Sequence, residues 1–222
     1  MARLLPMHNS DTLVEAASLL QQGRLVAFAT DTVYGIGALP VPDATAAIFA
    51  AKGRPTGRAL PLLLAKADEA PRHGAQVPES ALLLTSTYWP GPLTLVVPAT
   101  EDLARALGAE NPSAGIRVPK HDPLRELLRL AGGALAVSSA NRSGETESLS
   151  AEEVQRALGA HVALILDGGQ SQTHLASTVV DVTTEPPRIL RAGSLAAELS
   201  RLLDISGETG LQSQGSGGRN DR

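Results

Sequence analysis

Apolar residues recur along this chain with two periods that take turns. "TLVEAASLLQQG" (12–23) carries its apolar residues at helical spacing and ends on Gly, which predicts a helix. "RLVAFAT" (24–30) is a short apolar run and predicts a buried strand. "DATAAIFAAKG" (43–53) predicts a helix with Asp43 as N-cap and Gly53 at its end. Then come a strand in "LPLLLA" (60–65), a helix in "PESALLLTSTYWPG" (78–91) stopped by Pro90 and Gly91, and a strand in "LTLVVPA" (93–99).

The second half keeps the style. "AGIRVP" (114–119) predicts a strand, and "DPLRELLRLAG" (122–132) a helix with Pro123 in its first turn. "ALAVSSAN" (134–141) is a strand running into a polar turn. "SAEEVQRALG" (150–159) opens with Ser150 and Glu153 in capping-box positions. "VALILDGG" (162–169), "STVVDV" (177–182) and "RILRAG" (188–193) predict three more strands. Alternating helices and strands make this an α/β domain with a mixed sheet. It occupies residues 1–203. Residues 204–222 are polar and rich in Gly and Ser, and are expected to form a disordered tail.

Composition narrows the picture. With 222 residues the chain can bury a sizeable core. Aromatics are only 2%, so that core must be aliphatic. A net charge of −4 argues against a broad nucleic-acid surface. Cys is absent, which removes disulfides, thiolate nucleophiles and Cys-ligated zinc. The N-terminus lacks a signal-peptide core and no apolar run has the length of a membrane span, so the chain is read as cytoplasmic.

Four segments are too polar for their positions. "ATDTVYGIG" (29–37) places Thr30, Asp31, Thr32 and Tyr34 at a strand end, where α/β folds bind ligands. A self-satisfied turn explains "TDT" equally simply. In "AAKGRPTGRALPLLLA" (50–65), Lys52, Arg54 and Arg58 could clamp a phosphate. A helix C-terminus also favours Lys52 on electrostatic grounds alone. "AVSSANRSGE" (136–145) sets Ser138, Ser139, Asn141 and Ser143 after a buried strand, where small hydroxyls and an amide suit phosphate or sugar oxygens. Ser177, Thr178 and Arg191 form a fourth, weaker group. The histidines show no metal spacing, and neither a Walker loop nor a GxSxG elbow occurs.

Taken in order, "TDTVYGIG", "KGRP", "YWPGPLTLVV", "GIRVPKH", "SSANRSG", "DGG…STVVD" and "ILRAG" resemble the YrdC-like threonylcarbamoyl-AMP synthases, in their short single-domain form, over roughly residues 11–195. The resemblance implies a twisted open α/β sheet with flanking helices and a concave, cationic cavity. It implies a nucleotidyltransferase that condenses L-threonine, bicarbonate and ATP, with Mg²⁺, into threonylcarbamoyl-adenylate and pyrophosphate. The product would feed N6-threonylcarbamoyladenosine formation at position 37 of tRNA through a separate transferase complex. By the same resemblance Lys52, Arg54, Ser139, Asn141 and Arg191 should hold the nucleotide, and Thr32, Tyr34, Arg117 and Ser177 the threonine.

The chain departs from the family pattern at Ala59, at the absence of a His after "LPLLL", and at His174 and Ala176. Both reacting partners are anionic, so a cationic cleft built by Lys52, Arg54 and Arg191 would remove their repulsion without a covalent step. Lys52→Ala and Arg54→Ala are therefore expected to abolish activity while leaving the melting temperature in place. Two other readings are a related carbamoyl-transfer domain and a double-stranded RNA-binding module.

Overall fold

The computed structural model describes residues 2–53, 55, 57–171 and 175–211. Among these residues ten strands form one open sheet: β1 (Arg3–Pro6), β2 (Val26–Phe28), β3 (Gly35–Ala38), β4 (Leu62–Leu64), β5 (Leu93–Pro98), β6 (Ser113–Arg117), β7 (Ala134–Ser139), β8 (Leu164–Asp167), β9 (Thr178–Asp181) and β10 (Arg188–Arg191). Their order across the sheet is β1-β8-β2-β3-β7-β4-β6-β5-β9-β10. Parallel and antiparallel pairs mix: β2 runs parallel to β8, β3 antiparallel to both β2 and β7, and β5 antiparallel to β6 but parallel to β9.

Among the described residues seven α-helices accompany the sheet: α1 (Ser10–Gln21), α2 (Pro42–Lys52), α3 (Leu82–Tyr88), α4 (Glu101–Leu107), α5 (Asp122–Leu130), α6 (Ala151–Leu158) and α7 (Ala196–Leu211). Helix α1 packs on α5, and α2 on α4. The core is aliphatic as composition requires. Leu62, Leu64, Leu93, Leu95, Ile116 and Leu135 are all inaccessible to solvent. Each such side chain contributes about 1.5–3 kcal/mol relative to exposure. Phe28 and Tyr34 are the aromatic side chains wholly inside it.

Local chemistry sets the helix ends. Ser150 caps α6 by accepting from Glu153 N, and Glu153 Oε2 accepts from Leu149 N at 2.6 Å, close to the expected capping box. Gly53 closes α2 with φ 57°, in the left-handed region that glycine enters at no steric cost. Asp43 is not the N-cap of α2. Val41 holds that place without a side-chain bond, Pro42 takes the first helical position and Asp43 falls in the first turn. Pro42 wins because its fixed φ is pre-set for helix and its missing N–H is not needed there.

Four elements go beyond the sequence expectation. Strand β1 extends the sheet at the N-terminus beside β8. Helix α4 is short and is capped by Thr100, whose side chain accepts from Leu103 N. Helix α7 continues to Leu211, past the boundary at Asp204 where the polar tail was expected; residues 212–222 lie outside the described residues. Strand β3 is the fourth. Its "GIGA" looks like a turn, yet it is buried in the middle of the sheet. Its glycines serve packing rather than bending. A Cβ on Gly37 would come within 2.7 Å of the Phe28 ring, and one on Gly35 within 2.9 Å of Val137.

Candidate active site

Strand alternation builds the floor of a cavity of about 300 Å³. Side chains two apart share a sheet face. On one face lie Thr94 and Val96 of β5, Ser113, Gly115 and Arg117 of β6, Val137 and Ser139 of β7, and Val179 of β9, and all of them line the cavity. The intervening Leu95, Ala114, Ile116, Ala136 and Val180 are buried in the core. Small and polar residues on one parity thus make a concave face, while aliphatic residues on the other hold the sheet. A volume near 300 Å³ is at the small end for small-molecule sites.

The inner wall centres on Arg117. Its Nε donates to Gly91 O at 2.9 Å, Nη1 to Thr32 Oγ1 at 3.2 Å and Nη2 to Asp31 Oδ1 at 2.6 Å. These bonds use three of its five N–H groups. The ion pair is sheltered, with side-chain exposures of 7% and 12% for Arg117 and Asp31. Burial pushes the Arg117 pKa down, and the Asp31 carboxylate pushes it back up. Thr30 supports the turn from behind: its hydroxyl donates to Val33 O at 2.7 Å and accepts from Thr32 N at 3.0 Å. The "TDT" turn is therefore both self-satisfied and tied to the guanidinium.

Tyr34 is fully buried, and its hydroxyl is committed to the Asp167–Gly169 turn. It donates to Gly169 O at 2.6 Å and accepts from Gly168 N at 3.2 Å, with Asp167 Oδ1 3.3 Å away. Its pKa is pushed up to about 12, chiefly by burial; the Gly168 N–H works against that and the Asp167 carboxylate adds to it. Tyr34 lines the cavity, but its polar end clamps a loop. Gly168 makes the close approach possible, since a Cβ there would sit 2.6 Å from Ala29 Cβ.

Lys52 is buried at the end of α2. Its ammonium donates to Ser139 O, to Asn141 O at 2.5 Å and to Asn141 Oδ1 at 3.2 Å. The Asn141 amide in turn donates to Arg142 O and Glu145 O at 3.0 and 2.7 Å. Lys52 and Asn141 thus brace the loop after β7, and Ser139 is the member of the group that lines the cavity. Arg54 lies outside the described residues, as does His174.

The rim is built differently. Arg191 Nε donates to Ser177 O at 3.0 Å and Nη2 to Ser177 Oγ at 2.9 Å. A β-bulge in β10 aims it: Ile189 pairs with Val180, yet Arg191 pairs with Val179, so the bulge sets Arg191 and not Leu190 beside a cavity residue. Burial lowers the Arg191 pKa, nearby Glu147 opposes that, and Arg117 adds to it. Gly193 lets the strand end press on its neighbour, since a Cβ there would lie 2.4 Å from Ala176 O.

Of the residues singled out in sequence, Thr30, Thr32, Tyr34, Arg117, Ser138, Ser139, Ser177 and Arg191 line one cavity. Lys52 and Asn141 stand behind its wall. Sequence reasoning passed over Thr94, Ser113 and Glu147, which also line it, and left Asp31 unassigned. The signal for Thr94 was a hydroxyl inside an aliphatic strand, and for Ser113 a polar residue in step with Gly115 and Arg117. Among the described lining residues Glu147 is the one carboxylate.

Known proteins resemble this chain in sequence and fold. The Sua5/YciO/YrdC family model, described as telomere recombination, matches residues 18–193. A threonylcarbamoyl-AMP synthase of Pyrococcus abyssi is 38% identical over 184 residues, 82% of this chain and 54% of that protein. A Mycobacterium tuberculosis protein is 39% identical over 205 residues, 91% of this chain and 92% of its own length. The chain therefore spans about half of the archaeal relative and nearly all of the mycobacterial one. The crystal structure of P. abyssi Sua5 complexed with L-threonine superposes with a TM-score of 0.85 at 34% identity, covering 91% of this chain and 60% of that one. With the open mixed sheet, the ordered motifs and a family match over most of its length, this chain belongs to the Sua5/YciO/YrdC family.

Proposed function

We propose that this chain is an L-threonylcarbamoyladenylate synthase, with residues 1–203 as its catalytic domain. The observation that supports this most directly is the Arg117 guanidinium. It is buried, held by Asp31, Thr32 and Gly91 O, and keeps two N–H groups for a carboxylate on the floor of the cavity. A related Sua5 is known complexed with L-threonine. Arg117 and Thr32 then anchor the amino acid, with Tyr34 shaping that wall from behind and Ser177 beside it. Ser139 and Arg191 take nucleotide phosphates, with Arg54 as a further cation. Lys52 and Asn141 act mainly by fixing the end of β7, where Ser139 sits, and the loop that follows it; either would exchange an existing bond to touch a phosphate.

The reaction needs an anionic carbamate to approach an anionic α-phosphate in line. Guanidinium groups fixed in advance offset that repulsion and need no reorganisation as charge moves. Mg²⁺ would arrive with ATP and neutralise the polyphosphate. The oxygens of Ser139 and Glu147 suit a hard cation of that kind. No helix among the described residues is long and apolar enough to cross a membrane, and we place the reaction in the cytoplasm. A tRNA-modifying transferase complex is the consumer of the adenylate.

Protein incubated with ATP, Mg²⁺, L-threonine and bicarbonate is expected to release pyrophosphate, and omission of threonine or bicarbonate to stop it. Threonine-independent release would overturn the assignment. Tight binding of duplex RNA without that release would favour the RNA-binding reading instead.

A further inference from the structure

Among the described residues, the hydroxyl of Thr94 meets another hydroxyl and no main-chain group. Thr94 Oγ1 and Ser177 Oγ are 2.7 Å apart, and both side chains are buried. Arg191 Nη2 donates to the same Ser177 oxygen at 2.9 Å. Two hydroxyls carry two protons, and the contact between them uses one. The second remains available for donation into the cavity that both residues line.

Which hydroxyl keeps that proton depends on what enters. A guanidinium donating into Ser177 Oγ withdraws electron density and makes the Ser177 proton the more readily shared one. An anionic oxygen in the cavity draws that proton, and Thr94 then fills the second lone pair of Ser177. Ser177 is left with both lone pairs used and its O–H donating to the ligand. Thr94 is held for this task. It is β-branched, so its χ1 is stiff, and its methyl lies over Gly115, where a Cβ would come within 3.4 Å of Thr94 Cγ2. Gly115 thus leaves room for the methyl, and the methyl turns the hydroxyl toward Ser177.

We infer that Thr94 is a positioning residue that orients the Ser177 hydroxyl, and through it Arg191, toward an anionic oxygen of the bound ligand. The identity of that ligand rests on the synthase reading: a carbamate or phosphate oxygen. The geometry of the relay does not.

The test compares Thr94→Val, Thr94→Ser, Ser177→Ala and the Thr94→Val/Ser177→Ala double variant in pyrophosphate release, with melting temperatures alongside. Thr94→Val exchanges a hydroxyl for a methyl and is expected to lower kcat/KM by about 5- to 100-fold, the cost of an unmade buried hydrogen bond expressed as a rate. Thr94→Ser keeps the hydroxyl and should retain most of the activity. The double variant should be no worse than Ser177→Ala alone, because the two act as one unit. Full additivity, or an unimpaired Thr94→Val enzyme, overturns the inference. A second arm needs no activity. Crystal structures of the unsubstituted protein and Thr94→Val should differ in the Ser177 rotamer and the Arg191 guanidinium. If both groups stay in place the inference fails, whether or not the protein makes pyrophosphate. Absence of pyrophosphate from the unsubstituted protein counts against the synthase reading alone.

Discussion

Arg117 and Arg191 line the same cavity and are built on opposite plans. Arg117 is sealed in, bonded to a carboxylate, a hydroxyl and a carbonyl from two other segments. Arg191 sits on an edge strand, only partly covered, and among the described residues both of its bonds go to Ser177. Tyr34 in the inner wall and Lys52 behind it are likewise committed to protein oxygens. The comparison separates two jobs that sequence motifs run together. Inner charges are part of the fold and are set before any ligand arrives. The rim charge is inexpensive to move and can adjust to what is bound.

The contrast is sharpest at Asp31. Asp31→Asn leaves Arg117 charged and buried without its counter-ion, a loss of about 3–5 kcal/mol. Differential scanning calorimetry should record a fall in Tm of about 10 °C or more. An unchanged Tm would show that the pair contributes nothing to the inner wall. Lys52→Met comes next. It strands the oxygens of Ser139 and Asn141 in the interior, at about 3 kcal/mol. This replaces the expectation drawn from sequence, that Lys52 could be removed without thermal cost. A Tm within error of the parent would restore it.

Tyr34 tests the inner wall by pH. Its raised pKa means that the unfolded chain loses the phenol proton first, near the ordinary value of 10, and the folded chain near 12. The contribution is complete below pH 10 and is lost as pH rises through that window, at about 1.4 kcal/mol per pH unit. Denaturant titrations at pH 9 to 12 should show this slope, and Tyr34→Phe should flatten it. An equal slope in the variant would assign the titration to another group. The rim should behave differently. Arg191→Gln is expected to shift stability by no more than about 0.5 kcal/mol, as exposed positions do. The same change should weaken nucleotide use by about tenfold or more, the scale of one lost charge-assisted contact. Loss of fold in this variant would erase the distinction.

Much of this was readable in the chain. "SAGIR" writes the cavity floor in its own alternation: Ser113, Gly115 and Arg117 on one face, Ala114 and Ile116 on the other. "KGRP" and "SSANRSG" point to a shared wall, and Lys52 does meet Ser139 and Asn141. What was illegible depends on contacts between distant segments. Gly35 and Gly37 look like flexible residues until Phe28 lies across them. Asp31 has no role until β6 delivers Arg117 to it. The reach of Arg191 depends on a bulge, and one extra residue in a strand has no local signature in composition.

The site's two halves also differ in where they sit along the sheet. Arg117 and Ser139 belong to inner strands, whereas Ser177 immediately precedes β9 and Arg191 ends β10, the last strands at one edge, joined to the rest of the sheet through β5 alone. An edge hairpin opens more often than the centre, and its amides exchange with solvent sooner. A ligand that bridges Ser139 or Arg117 to Arg191 would therefore act as a clasp. Its dissociation would be gated by the fraying of that edge, and its arrival would appear as slowed amide exchange in residues 177–191 before any change in the middle of the sheet.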